Sequence, residues 1–142
     1  MFFADLIVDA RYLSSPNTGI YRFTKGLIEE IIFSKTAKDK KIIILFSQTS
    51  LNKEKKLVSS IKNSKNLELK IVSNNKSKIY NHFFLPFFLS KIKYKNYFYP
   101  NIDIPVFNFA NKYFVVHDLK PIFQKDYFLK YKFKKRNYFY FS

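Results

Sequence analysis

The chain has no cysteine, no tryptophan and only two glycines among its 142 residues. Without cysteine it has no disulfide framework, no thiolate ligand for zinc and no thiol nucleophile, which fits a reducing compartment. Gly19 and Gly26 alone do not suffice for a GxGxxG dinucleotide fingerprint or a Walker A phosphate loop. These absences argue against a dinucleotide dehydrogenase and a P-loop NTPase.

Acidic residues and arginine are also scarce. The sequence has ten Asp and Glu residues and 26 Lys and Arg residues, which gives a formal net charge of +16. The only arginines are Arg11, Arg22 and Arg136. Two interpretations of this charge stay open: drift toward A/T-rich codons on solvated faces, or attraction to a polyanion such as nucleic acid, anionic lipid or a phosphorylated substrate. Sequence-specific DNA readers favour arginine for its bidentate fork, so this class is not favoured.

Long apolar runs are missing as well. The longest, residues 83–89, is far shorter than the roughly 20 residues of a membrane span, and the first ten residues lack the basic start of a signal peptide. The sequence therefore predicts a cytoplasmic protein, or one peripheral to the inner face of a membrane. A hydrophobic fraction of 47% over this length predicts one folded domain with a substantial core.

Hydrophobic periodicity alternates between strand and helix. Short apolar runs predict strands at 6–10, 42–46, 67–71 (near an edge), 96–99 and 112–118. Helical spacing predicts helices from Ile20, over 51–61 and over 79–92 with a disturbance at Pro86. This order indicates an α/β fold: a Rossmann-like, mostly parallel sheet with helices on both faces. Residues 1–125 form this domain, and 126–142 form a basic aromatic tail that we expect to be helical.

Two segments place polar groups at the carboxyl ends of predicted strands, where open α/β sheets bind ligands. In the first, Gly19 and Arg22 lie at a helix N-terminus whose free amides suit a phosphate; the alternative is an ordinary helix start with Asn17 or Thr18 as its cap. In the second, His117 offers a base or a hydrogen-bond partner for a sugar hydroxyl, or is structural. His82 is the only other histidine, so we expect no histidine-based metal site.

The motifs in these segments resemble a known family. Residues 9–11, then 17–24 and 27–28, resemble the opening of GT-B glycosyltransferases of the large retaining class often called family 4, with its "TGI.RY" pattern. Residues 115–121 resemble the later "HDL.P" strand end of these enzymes, and residues 98–100 and 104–105 resemble the stretch before it. The similarity covers about residues 5–128 in the expected order.

The resemblance implies that the chain is an incomplete N-terminal, acceptor-side half of a GT-B fold. It also implies an enzyme that transfers a hexose such as mannose from a nucleotide sugar to a glycan or lipid-linked acceptor, in surface-polysaccharide synthesis. It implies that Thr18, Gly19 and Arg22 bind the donor diphosphate and that His117 and Asp118 are the catalytic-site residues. It implies no metal or cofactor, because helix ends and basic side chains can carry the diphosphate charge.

The sequence also departs from the family. We expect the C-terminal domain that binds the nucleotide sugar to be absent, and Tyr21 stands where the family more often has a small or polar residue. We therefore expect a fragment that is inactive alone, with a separate chain as the possible source of the second domain. The alternative is a basic peripheral membrane or nucleic-acid-binding module without catalysis. For such a module, nucleic acid is the less favoured partner. An anionic membrane is the more favoured one, because the aromatic segment 83–89 has lysines nearby.

Overall fold

A computed structural model describes residues 3–74, 77, 79–101, 105 and 110–117, so Asp118 and the predicted tail at 126–142 lie outside the described residues. The strands are β1 Phe3–Asp9, β2 Ile42–Ser47, β3 Leu67–Val72, β4 Lys93–Tyr99 and β5 Asn111–Phe114. The helices are α1 Gly19–Phe33, α2 Gln48–Lys53, α3 Lys55–Lys62 and α4 Leu85–Leu89, with a 3₁₀ turn at Arg11–Ser14 and a π-helical turn at Tyr80–Phe84.

The five strands form one parallel sheet in the order β3-β2-β1-β4-β5. This is the order of a doubly wound Rossmann-like sheet, and it confirms the predicted fold class. All six residues of β2 are buried, as expected for a central strand covered on both faces. β3 lies at an edge, as its alternation of apolar and charged residues predicts. Because the chain reverses its direction of winding between β1 and β4, the topological switch point lies there.

Helices cover both faces of the sheet. On one face, Ile28 of α1 and Ile61 of α3 pack with Val8, Ile44 and Phe46. On the other face, the second core cluster joins α4 to the sheet, and its buried residues are Ala4, Ile7, Ile43, Leu45, Val72, Leu85, Leu89, Tyr97 and Tyr99. The two-sided covering accounts for the near-continuous apolar runs in β1 and β2.

The predicted helix over 51–61 is instead two helices. Ser47 starts α2 early, because its hydroxyl accepts the amide of Ser50 while the Ser50 hydroxyl accepts the amide of Ser47. The break falls at Glu54, which leaves helical geometry. Its carboxylate accepts a 2.5 Å hydrogen bond from the Tyr21 hydroxyl and pairs with Lys25. The break between α2 and α3 therefore coincides with contacts from Glu54 to two residues of α1 that are remote in sequence.

Other boundaries also differ from the prediction, and two of them have a physical reason in proline. In the segment 79–92 the irregular turn precedes Pro86, which stands near the start of α4, where its missing N–H is tolerated. The strand predicted over 112–118 ends at Phe114, which pairs with Tyr99. Tyr99 is followed by Pro100, which has no backbone N–H to continue the hydrogen bonding between β4 and β5.

Candidate functional site

The chain between β1 and α1 forms the first part of the candidate site. After the 3₁₀ turn, Asn17 adopts a positive φ of 69°, and the chain then enters α1. Thr18 caps this helix: its hydroxyl accepts the Tyr21 amide at 3.1 Å and donates to the Ser15 carbonyl at 3.1 Å. The structure thus selects Thr18 from the two predicted caps. Its hydroxyl is already engaged, so Thr18 fixes the start of the helix.

Gly19 is the first residue of α1 and is exposed. Its φ is not positive, and a Cβ at this position would meet no described atom within 4 Å. Neither backbone strain nor packing within the described chain therefore demands glycine here. The amides of Gly19 and Ile20 belong to the first turn, where no earlier helical carbonyl is available to accept them. The exposed Arg22 adds a positive charge to this turn.

His117 lies three residues beyond the end of β5 and is exposed. Its Nε2 is 2.7 Å from the Pro100 carbonyl oxygen. A carbonyl only accepts, so Nε2 carries the proton in this contact. In the neutral ring, Nδ1 is then an acceptor, which suits it to accept a proton or a hydrogen bond from a substrate hydroxyl.

Aromatic packing connects His117 to α1 and β4. The His117 ring meets Phe23 edge-on, with centroids 5.6 Å apart, and Phe23 stacks on Phe98 of β4 at 6.2 Å. Phe23 stands about one helical turn after Gly19. Gly19 follows the carboxyl end of β1 and His117 follows that of β5, so both lie at one rim, beside the switch point between β1 and β4.

A buried polar network, for which the sequence predicts no role, lies under this rim. The Arg11 and Asp9 side chains form an ion pair with an Nη2–Oδ2 distance of 2.7 Å, and both are fully buried. Arg11 Nη2 also donates to the Asn81 amide oxygen at 3.0 Å, and the Tyr97 hydroxyl donates to Asp9 at 3.0 Å. Asn81 in turn donates to the Tyr99 hydroxyl at 3.2 Å. The network ties the end of β1 to β4 and to the π-helical turn.

Burial sets the protonation of this network. Burial alone would lower the pKa of Arg11, but attraction and hydrogen bonding to Asp9 outweigh it and raise that pKa above its ordinary value. Burial, reinforced by the Asp9 charge, raises the pKa of both Tyr97 and Tyr99. Arg11 therefore keeps its charge beside the Asp9 carboxylate, and both phenols stay neutral at neutral pH.

The buried tyrosines predict a loss of stability at alkaline pH. An unfolded tyrosine ionises near pH 10, whereas Tyr97 and Tyr99 hold their protons to higher pH. Since the unfolded state loses protons first, the free energy of unfolding should fall above that pH, by about 1.4 kcal/mol per pH unit for each tyrosine. Urea unfolding of the native protein and of a Tyr97→Phe/Tyr99→Phe variant at increasing alkaline pH measures this fall in the free energy of unfolding. A variant with an equally steep decline would contradict the assignment.

Thr18, Gly19 and Arg22 of the predicted site lie at the start of α1, whose Phe23 contacts the His117 ring, and Asp118 lies outside the described residues. Within the described ranges, no three His, Asp or Glu residues cluster as metal ligands. No helix in the described part of the chain combines the length and apolar character needed to cross a membrane. Comparison with known proteins finds no matching family model, curated protein or solved structure.

Proposed function

We propose that this chain is the N-terminal, acceptor-side half of a retaining GT-B glycosyltransferase, which transfers a hexose such as mannose from a nucleotide sugar to a glycan or lipid-linked acceptor. The observation that supports it is the packing of the exposed His117 ring against Phe23, about one turn into the helix that begins at Gly19. Ligands of doubly wound sheets bind beside the switch point, outside the carboxyl ends of the strands.

The proposed reaction assigns a separate task to each side of this rim. The acceptor oxygen bonds to the anomeric carbon, the bond from that carbon to the diphosphate oxygen breaks, and the acceptor proton passes to the leaving diphosphate. The α1 amides, the helix dipole and Arg22 stabilise the developing negative charge. His117 Nδ1 accepts a hydrogen bond from a hydroxyl of the transferred sugar and orients it. A second Rossmann-type domain is required to hold the nucleotide.

The experiment that tests the diphosphate side compares the two glycines of α1. Gly19→Ala and Gly26→Ala both place a methyl group in open space, so each should raise the free energy of unfolding by about 0.4–1 kcal/mol. Only Gly19 borders the proposed diphosphate position, where a methyl group blocks approach to the amides. We expect Gly19→Ala to weaken pyrophosphate binding about tenfold, the loss of one charge-assisted hydrogen bond, with Gly26→Ala unchanged.

Calorimetric titration of the chain with inorganic pyrophosphate, alongside urea unfolding of each variant, provides the measurement. Arg22→Gln should weaken the same binding without altering stability, since Arg22 is exposed. Equal affinities for the native chain, Gly19→Ala and Gly26→Ala would contradict the proposed diphosphate position.

A further inference from the structure

An exposed apolar stripe runs along the π-helical turn and α4. Ile79, Phe83 and Phe87 recur every four residues and are 67%, 60% and 68% exposed. Asn81, Leu85 and Leu89 recur with the same spacing on the opposite side and are fully buried against the sheet. The segment is thus apolar on its outer side as well as on its packed side. A helix that is apolar all round is normally covered on every side.

Phe84, which is 62% exposed, widens this stripe. Isolated exposed apolar side chains are common on protein surfaces, but contiguous large ones mark sites that meet another apolar phase. The stripe stands on the face of the sheet opposite α1 and α3, whose side chains pack into the other core cluster. It is therefore a surface separate from the Thr18-to-Phe23 segment.

Lysines border the stripe at its C-terminal end. Lys91 continues the four-residue spacing, and its Nζ lies 5.2 Å from the centre of the Phe87 ring. Lys93 and Lys95 follow and are exposed. An occupant must therefore offer both an apolar phase and negative charge. A second copy of the chain would supply an apolar surface, but its own net charge of +16 would repel this one.

We propose that this stripe docks the protein on an anionic membrane leaflet, with α4 parallel to the surface and its phenyl rings at the boundary between headgroups and acyl chains. Aromatic rings on the π-helical turn and α4, bordered by the lysines that follow α4, fit the two layers of that boundary. The segment lies on the leaflet and does not cross it, since residues 79–89 are too few for a span. The proposal does not depend on sugar transfer.

A fluorescence experiment reads the insertion directly, because the chain has no tryptophan. Phe87→Trp places a single reporter in the stripe, and Phe33→Trp places one at the end of α1, where Phe33 is 77% exposed. With phosphatidylcholine vesicles containing phosphatidylglycerol, we expect a blue shift for Phe87→Trp and none for Phe33→Trp. Equal shifts for both, or none for Phe87→Trp, would overturn the proposal.

Vesicle flotation then separates the apolar contribution from the charge. Phe83→Ser/Phe87→Ser should lower the bound fraction at least about tenfold, whereas the matched Phe33→Ser leaves it unchanged. Replacing Lys91, Lys93 and Lys95 by Gln should weaken binding more than the same change at Lys55, Lys56 and Lys62 of α3. Circular dichroism checks that each variant folds. Loss of binding in both lysine sets alike, or dimers in gel filtration that Phe83→Ser/Phe87→Ser dissociates, would overturn the membrane assignment.

Discussion

Replacing Arg11 by methionine is expected to lower the free energy of unfolding by about 3–5 kcal/mol, the usual cost of removing one partner from a buried ion pair. The change leaves the fully buried Asp9 carboxylate with the Tyr97 hydroxyl and the Arg11 backbone amide, but without a neutralising charge. It also removes the donor to Asn81. Because natural domains are stable by only about 5–15 kcal/mol, the loss is a large fraction of the total. Urea unfolding at neutral pH measures it.

A double-mutant cycle identifies the cause of that loss. Asp9→Leu/Arg11→Met removes both charges and should recover much of the stability, because replacing a whole buried pair by apolar groups is often neutral. Arg22→Met is the matched control, since Arg22 is exposed and should cost no more than about 0.5 kcal/mol. A loss for Arg11→Met no larger than that for Arg22→Met would show that the pair does not support the rim.

Replacing His117 by alanine is expected to slow hexose transfer by about 100-fold, the lower end of the contribution of a positioned acid–base or hydrogen-bonding side chain. The substitution removes the Nδ1 acceptor, and with it the fixed orientation of the sugar in the proposed reaction. The fold should persist, because His117 is exposed and its ring lies at the rim. The rate is measured by mass spectrometry of the product, with the chain complemented by a nucleotide-binding second domain that restores hexose transfer.

Two variants separate orientation from packing at this position. His117→Phe keeps the edge-on contact with Phe23 but has no ring nitrogen, so it should be as slow as His117→Ala. His82→Gln changes the other histidine, which lies in the π-helical turn on the face of the sheet opposite α1, and should retain the native rate. Full activity in His117→Phe would mean that the ring only packs.

The sheet could be predicted because its signals are local. Apolar runs of about five residues alternate with helical spacing, and the loop before Gly19 carries its own cap in Thr18. The end of β5 could not be predicted from local signals, because residues 115–117 have the apolar pattern of a strand. The pairing with β4 ends where Pro100, which follows β4, offers no amide. The break at Glu54 likewise involves Tyr21, which is remote in sequence.

The buried network under the rim is a feature that the sequence alone does not predict. Arginine is rarely fully buried, so composition argues for an exposed Arg11. A signal was present nonetheless: Asp9 ends an apolar strand, and Arg11 follows two residues later, within reach of its carboxylate. The alternation of Tyr97 and Tyr99 on one face of β4 adds two hydroxyls. Their meeting with Asn81 depends on the topology, which pairs β1 with β4.

The measurement that tests the shared rim most directly is nitrogen NMR of the two histidine side chains and of the Gly19 amide. The chain is titrated with pyrophosphate and, in the presence of a nucleotide-binding second domain, with a nucleoside-diphosphate hexose. We predict that neutral His117 carries its proton on Nε2, and that its Nδ1 and the Gly19 amide respond together to the nucleotide sugar. His82 should give an unchanged signal throughout. A response at His82 but not at His117, or a Gly19 amide that ignores both ligands, would contradict a donor site at this edge of the sheet.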